Sequence, residues 1–401
     1  MKILHLYDEK HFPEAEVPLN RGIYEVIFNL SRQQVKRGHD VKVLIRRDEE
    51  CEMDINGVTT IIVKSPSIAT TPYMEVSKPF GFLRIAFDFF FTYSKVNKFL
   101  RKNEFDVVHV HFPLTSCFTI TLNRDLRNKM IYTAHVGEEA KRFNFDGKAP
   151  LALKLFSPDL YLMKRVRKVV VLNENLKKRL VEEKGIDEER ITVIPNGIDV
   201  RKFDEISVND DFREKYGIKE PTVLFVGTIT PRKGVEYLVK AAKILKEEGC
   251  KANFILTGSI SVDPEYARKI KEYVKLHKLN VNITGFVPYE DLKALYSACD
   301  IFVLPSFEEG DPIALKEALA SGKPLIGSSV GGIPMQIRDG WNGFLVEPGN
   351  EKQLAEKIRY LIDNPEERER MGENSRKLAR EEFDWEKIAE RYLKVYEEVA
   401  E

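Results

Sequence analysis

At 401 residues the chain is too long for one small core, and roughly two to three domains are expected from length alone. With 43% hydrophobic and 31% charged residues it is composed like an ordinary soluble globular protein, not a disordered or fibrous one. Lys+Arg and Asp+Glu balance at 63 each, so no overall basic field points to nucleic acid, though a neutral total leaves room for a local cationic pocket.

The predicted elements alternate along nearly the whole chain. "KILHLY" reads as a strand, a helix follows near 22–37, and "DVKVLIR", "DVVHVH", "MIYTAH", "KVVVLN" and "ITVIP" complete a first set of strands. A second set comprises "TVLFVG", "NFILTG", "VNITG", "DIFVLPS" and "KPLIGS", with helices near 234–247, 265–277, 290–297 and 312–321 between them. This alternation implies parallel sheets with helices on both faces. The polar, turn-rich stretch "NGIDVRKFDEISVNDDFREKYGIKEP" separates the sets. The expected organisation is two doubly wound, Rossmann-like α/β domains, 1–204 and 205–382, facing across a cleft. Residues 383–401 form an amphipathic C-terminal helix, with Trp385, Ile388, Tyr392, Val395 and Tyr396 at helical spacing, expected to pack back on the first domain.

Cys51, Cys117, Cys250 and Cys299 lie far apart without a Cys-x-x-Cys pair, and read as buried thiols of a reducing compartment. The start "MKILHLYDEK" turns charged too soon for a signal peptide, and no window reaches the ~18 apolar residues of a spanning helix. A cytoplasmic protein is expected, and many Lys and Glu with only four Gln point to a thermophile. No Gly-x-Gly, Walker loop or Asp-x-Asp occurs, so a bound diphosphate would be neutralised by backbone dipoles and Lys/Arg, with no metal and no cofactor.

The segment "FEEGDPIALKEALASGKP" carries the strongest pattern. Asp311 is placed as an N-cap and Pro312 at the first helical position, with Glu309 in the loop before the helix and Glu317 in its second turn. The free amides of Ile313 and Ala314 at the positive helix end make an anion site, beside two carboxylates suited to accept from sugar hydroxyls. Spacing alone leaves a second possibility open: Glu309 complementing the helix dipole and Glu317 on a solvated face.

Within this segment, Glu309-x7-Glu317 and the following "ALASGKPLIGSSVGGIP" resemble the donor signature of GT-B glycosyltransferases of the retaining family 4 group. "GHDVKVL", "DVVHVHFPL", "YTAH", "VIPNGIDVRKF", "FVGTITPRKGVEYLVKA", "LTGS", "ITGFVPYEDLKALYSACDIFVLPS" and "DGWNGFLVEPGN" match in order over nearly the whole chain. The resemblance implies that Glu309 contacts donor-sugar hydroxyls, Glu317 holds the ribose and Lys233 binds the diphosphate. It implies a role for His135, at the end of "MIYTAH", on donor or acceptor hydroxyls, and for Gly310, Asp311 and Ile313 around the donor. The family's usual Arg after "FVG" is Thr228 here, so Arg232, or Arg21, is the replacement to consider. Only Gly22 remains of the two glycines in the family's first strand-to-helix turn, and Val287 of "GFVP" is a candidate neighbour of the base. Asp311-Pro312 and Met335 depart from the family pattern, which bears on donor identity.

His109 and His111 share one face of a strand, but the sequence offers no third metal ligand, and they read as packing or cleft-lining residues. "KPFGFLRIAFDFFFTYSKVNKFLRKNEF" is an aromatic and basic amphipathic stretch, fit either to cover the core or to touch a membrane surface over 79–104. The resemblance implies a retaining transferase moving a hexose-type sugar from a UDP-, GDP- or ADP-sugar to a hydroxyl acceptor, whether glycan, glycolipid or small sugar. An epimerase or phosphorylase of the same fold, or a non-catalytic sugar-nucleotide binder, is the alternative.

Overall fold

The structure, a computed structural model, describes residues 1–10, 21–47, 49–64, 81–111, 119, 121, 123–135, 157–204, 206–218 and 221–401. Two compact units are present: Met1–Pro195 with Ile388–Glu401, and Asn196–Lys387.

The first unit is built on an eight-stranded sheet. Its strands are β1 (Lys2–Lys10), β2 (Asp40–Arg47), β3 (Cys51–Ile55), β4 (Val58–Lys64), β5 (Val107–Val110), β6 (Met130–Ala134), β7 (Lys168–Val171) and β8 (Ile191–Val193), in the order β3-β4-β2-β1-β5-β6-β7-β8. All neighbours are parallel except β3 and β4. The parallel strands are rich in apolar residues because both faces are covered: every residue of β5, His109 included, is buried. Leu4, Leu6, Val108 and Val110 pack into one core, while Tyr7, Val43 and Ile45 face a second core with Ile27 and Phe28 of the Arg21–Lys36 helix.

The antiparallel β3–β4 hairpin was not expected from the strand pattern. Its turn is Asn56-Gly57, both at positive φ (54° and 80°), the geometry a two-residue hairpin requires. The Asn-Gly pair was the available signal.

The second unit carries β9 (Thr222–Val226), β10 (Asn253–Thr257), β11 (Val281–Gly285), β12 (Ile301–Leu304), β13 (Leu325–Ser328) and β14 (Gly343–Val346), all parallel, in the order β11-β10-β9-β12-β13-β14. This is the doubly wound order, with the chain reversing direction across the sheet between β9 and β12. β14 was missing from the expected strands, because "GFLV" is short and opens on a glycine. The helices Val235–Glu247, Pro264–Leu276, Tyr289–Ala298 and Ile313–Ala320 lie within about a residue of their expected bounds. Two parallel-sheet α/β units were expected, and both are present. The last helix, Trp385–Ala400, begins in the second unit and belongs to the first from Ile388 onward.

Candidate active site

In the second unit the candidate side chains sit where strand order reverses, at the carboxyl ends of β9 and β12. Crevices at such points are where open α/β sheets hold ligands. After β9 the chain makes a single turn, Pro231–Lys233, closed by Gly234 at φ 66°. A Cβ on Gly234 would lie 1.9 Å from the Pro305 carbonyl, so only glycine lets this turn lie against the end of β12. Two hydrogen bonds fasten it there: Phe307 N–H to the Arg232 carbonyl at 2.8 Å, and Arg232 Nη1 to the Glu308 carbonyl at 2.9 Å.

That docking brings Lys233 to Glu309. Lys233 Nζ donates to Glu309 Oε1 at 2.5 Å, and Ser306 Oγ donates to the same oxygen at 2.7 Å. Both side chains are largely buried. Among the described residues Glu309 Oε2 meets only Arg232 Nη1, at 3.9 Å, which leaves it able to accept from a hydroxyl. Lys233 holds three ammonium protons and spends one on Glu309. One surface thus offers both a hydroxyl acceptor and a cation.

Asp311 does not cap the helix. The helix starts at Ile313 with Pro312 in the cap position and no side-chain cap, one residue later than the expected Asp311 cap and Pro312 start. The carboxylate is drawn elsewhere: Oδ1 accepts from Lys316 Nζ and from Gln336 Nε2 (2.7 Å), and Oδ2 accepts from the Asn196 N–H at 2.6 Å. Lys316 is fully buried and stacks 5.2 Å over the Phe383 ring. Burial holds its ammonium below the usual range, and Asp311 opposes that shift. The negative charge of Asp311 is therefore neutralised inside the protein by Lys316. Lys316 was missed as a partner; its position five residues after Asp311 carries no common spacing signal.

Glu317 lies on the buried face of its helix, not the solvated one, with Oε2 accepting from the Tyr296 hydroxyl at 2.9 Å. The loop holding Glu309 is gripped from behind by Gly331-Gly332, where a Cβ on Gly331 (φ 52°) would fall 1.7 Å from the Glu309 carbonyl. Gly332 N–H also donates to that carbonyl at 3.2 Å. Gly310 and Ile313 stay partly or fully accessible beside it. Val287 is buried in the core and leaves Phe286 as the exposed side chain of "GFVP". Arg21 and Gly22 open the Arg21–Lys36 helix; the preceding residues 11–20 lie outside those described, as does Cys117.

The first unit places four imidazoles together at its own reversal point, β1 to β5. His5 and His109 are register partners, His111 follows β5, and His135 follows β6. His135 Nε2 bonds His111 Nδ1 (2.9 Å), His111 Nε2 bonds His5 Nδ1 (2.8 Å), and His5 Nε2 bonds Gln34 Oε1 (2.8 Å). His109 is held by the Tyr396 hydroxyl (2.5 Å) and Thr133 Oγ1 (2.7 Å). Burial lowers His5 to about 4 and His135 to about 3, and puts His109 and His111 well below the ordinary value. His5, His109 and His111 have ligand atoms within 4.8 Å of one another, a third member that the sequence did not announce. Every ring nitrogen of these three already has a protein partner.

Two family models match the chain: Glycosyltransferase Family 4 over residues 21–202 and Glycosyl transferases group 1 over residues 208–378. The chain is a glycosyltransferase of the group 1/family 4 type. An uncharacterized glycosyltransferase of Methanocaldococcus jannaschii is 29% identical over 385 residues, covering 92% of each chain. Among solved structures, sucrose-phosphate synthase from Thermosynechococcus elongatus superposes with a TM-score of 0.75 at 21% identity, covering 100% of this chain and 99% of that one. HepE of Anabaena, solved in complex with UDP-glucose, gives 0.72 at 18% identity over 99% and 100%. The likeness to these structures establishes the GT-B fold for this glycosyltransferase.

Proposed function

We propose that this glycosyltransferase moves a hexose-type sugar from a nucleoside diphosphate sugar to a hydroxyl acceptor, with retention and without a metal ion. The observation that carries the proposal is the Lys233–Glu309 pair at the β9–β12 reversal, a cation and a hydroxyl acceptor held within 2.5 Å. Lys233 neutralises the donor diphosphate, with Arg232 beside it in place of the Arg absent at Thr228. The amides opening the Ile313–Ala320 helix add a positive field, Glu309 accepts from the sugar and Glu317 from the ribose. His135 accepts from a sugar hydroxyl. Catalysis is then positioning and electrostatic stabilisation of the departing diphosphate, with the acceptor attacking on the face it leaves and its proton passing to the leaving phosphate oxygen.

HepE was solved with UDP-glucose, so UDP-sugars form the first arm of the test and GDP- and ADP-sugars the others. In a thermal-shift panel run with and without EDTA, the true donor at ~100 times its Kd adds about 2.7 kcal/mol of stability. Release of nucleoside diphosphate in the presence of hydroxyl acceptors then separates transfer from binding alone. No shift with any nucleotide sugar would overturn the donor assignment, and loss of the shift in EDTA the metal independence.

The acceptor side includes a membrane surface in this proposal. Among the described residues no helix is long and apolar enough to cross a membrane. The Gly81–Lys102 helix exposes Phe87 (58%) and Phe90 (72%), with Lys98, Arg101 and Lys102 exposed toward its end. Exposed aromatics ahead of exposed cations suit the interface of an anionic bilayer.

A further inference from the structure

The imidazole chain of the first unit has a direction. A neutral imidazole carries one N–H and one lone pair, so in a run of such rings each bond's sense dictates the next. Gln34 sets the end of the run, with its Oε1 turned toward His5. Its Oε1 can only accept, so His5 must carry its proton on Nε2. His5 Nδ1 is then an acceptor and takes the bond from His111 Nε2–H. His111 Nδ1 in turn accepts from His135 Nε2–H. The three rings run head to tail, each donating from Nε2 and accepting at Nδ1. His135 ends the run with Nδ1 as a lone pair, and among the described residues no partner occupies that nitrogen.

We propose that Gln34, His5 and His111 are positioning residues that lock His135 as the Nε2–H tautomer, so that its Nδ1 is presented as a hydrogen-bond acceptor to a substrate hydroxyl. The last clause rests on the function proposed above; the lock itself does not. The Gln34 amide is the element that sets the sense, because turning its nitrogen toward His5 would reverse all three rings and convert His135 into a donor. The chain also ends on an amide, which does not take up a proton in this pH range. A hydroxyl proton is therefore shared with His135 and not carried away along the rings. His109 lies outside the lock: its partners are two hydroxyls, each able to donate or accept, and its ring sits 3.9 Å from that of His111. Burial keeps the rings neutral at pH 7, the condition the head-to-tail run needs.

The test is the tautomeric state of the resting enzyme, read by long-range 1H–15N correlation on protein labelled at histidine. Each resonance is assigned by single substitution. The expected result is Nε2–H for His5, His111 and His135 in the wild type. An Nδ1–H form at any of the three, or loss of the pattern on adding one equivalent of Zn2+ because the rings bind metal instead, overturns the proposal. Gln34→Met removes the acceptor, and the Nδ1–H form of His135 should rise on the order of tenfold. Gln34→Glu keeps an acceptor and should retain the wild-type tautomer. An unchanged His135 in Gln34→Met overturns the lock. With a working transfer assay, Gln34→Met should raise KM for the sugar substrate while nucleoside diphosphate affinity stays the same, and Gln34→Glu should restore KM. A scrambled tautomer with unaltered KM overturns the positioning role. Absence of any transfer activity would bear on the proposed function and leave the spectroscopic result standing. Should Gln34→Met fail to fold, the wild-type spectrum alone decides.

Discussion

Glu309 and Glu317 illustrate how far a residue's role can be read before it is folded. Their spacing allowed either a ligand grip or Glu309 complementing the helix dipole with Glu317 on a solvated face, and burial excludes the solvated face, since Glu317 is only 8% exposed. Their neighbours differ in kind. Glu309 faces Lys233 across the strand reversal, whereas Glu317 is tied to the Tyr296 hydroxyl, whose proton burial and the nearby carboxylate hold well above the usual range. Glu317→Ala should weaken nucleoside diphosphate binding by about tenfold or more, as expected for a lost hydrogen bond to a charged group. Glu317→Gln, which keeps an acceptor for Tyr296, separates that loss from destabilisation. Unaltered affinity in both variants, measured by calorimetry, would remove the ribose role. Asp311 was legible as a helix-start residue by type but not by partner. Lys316, Gln336 and the Asn196 amide reach it from three places in the chain, and breaking such a buried pair costs about 3–5 kcal/mol.

At the scale of elements, periodicity located most of the alternating helices and strands, and missed β3, β4 and β14 and the helices Glu351–Asp363 and Pro365–Leu378. Four of the five residues of β3 are exposed and only Ile55 is partly buried, which leaves no apolar run to find. The start of the last helix depends on a contact that periodicity does not encode. Trp385 is 5% exposed and packs on Gly197, where a Cβ would come within 2.4 Å of the ring. Gly197→Ala should therefore destabilise the second unit by about 1–3 kcal/mol, read as a lower denaturation midpoint. A midpoint equal to wild type would mean that Trp385 moves aside freely. The Gly81–Lys102 helix permits a different measurement. Phe90→Glu should cut sedimentation with anionic vesicles several-fold without changing the melting temperature, and equal sedimentation would count against membrane contact.

The whole molecule inherits a pH dependence from its buried imidazoles. His5 titrates near 4 when folded and near its ordinary 6.5 when unfolded, so below 6.5 the unfolded chain binds more protons. The stability contribution is complete above pH 6.5 and is lost as pH falls toward 4. Between pH 7.5 and 4.5 this one residue removes about 2–3 kcal/mol, measurable by denaturant unfolding, and His5→Gln should flatten the slope. A slope unaffected by that substitution would place the titration elsewhere.

The sequence by itself determined the class of fold and the family. Strand–helix alternation and an ordered set of short motifs are properties of neighbours along the chain. It also singled out Lys233, Glu309, Glu317 and His135. Only the tertiary structure decided what each of them touches: that Lys233 pairs with Glu309, that Asp311 is neutralised by Lys316, and that His135 heads a run of rings ending on Gln34. The physical reason is reach. A hydrogen bond acts over about 3 Å, and the residues it joins here are 76 positions apart for Lys233 and Glu309 and 106 for His5 and His111.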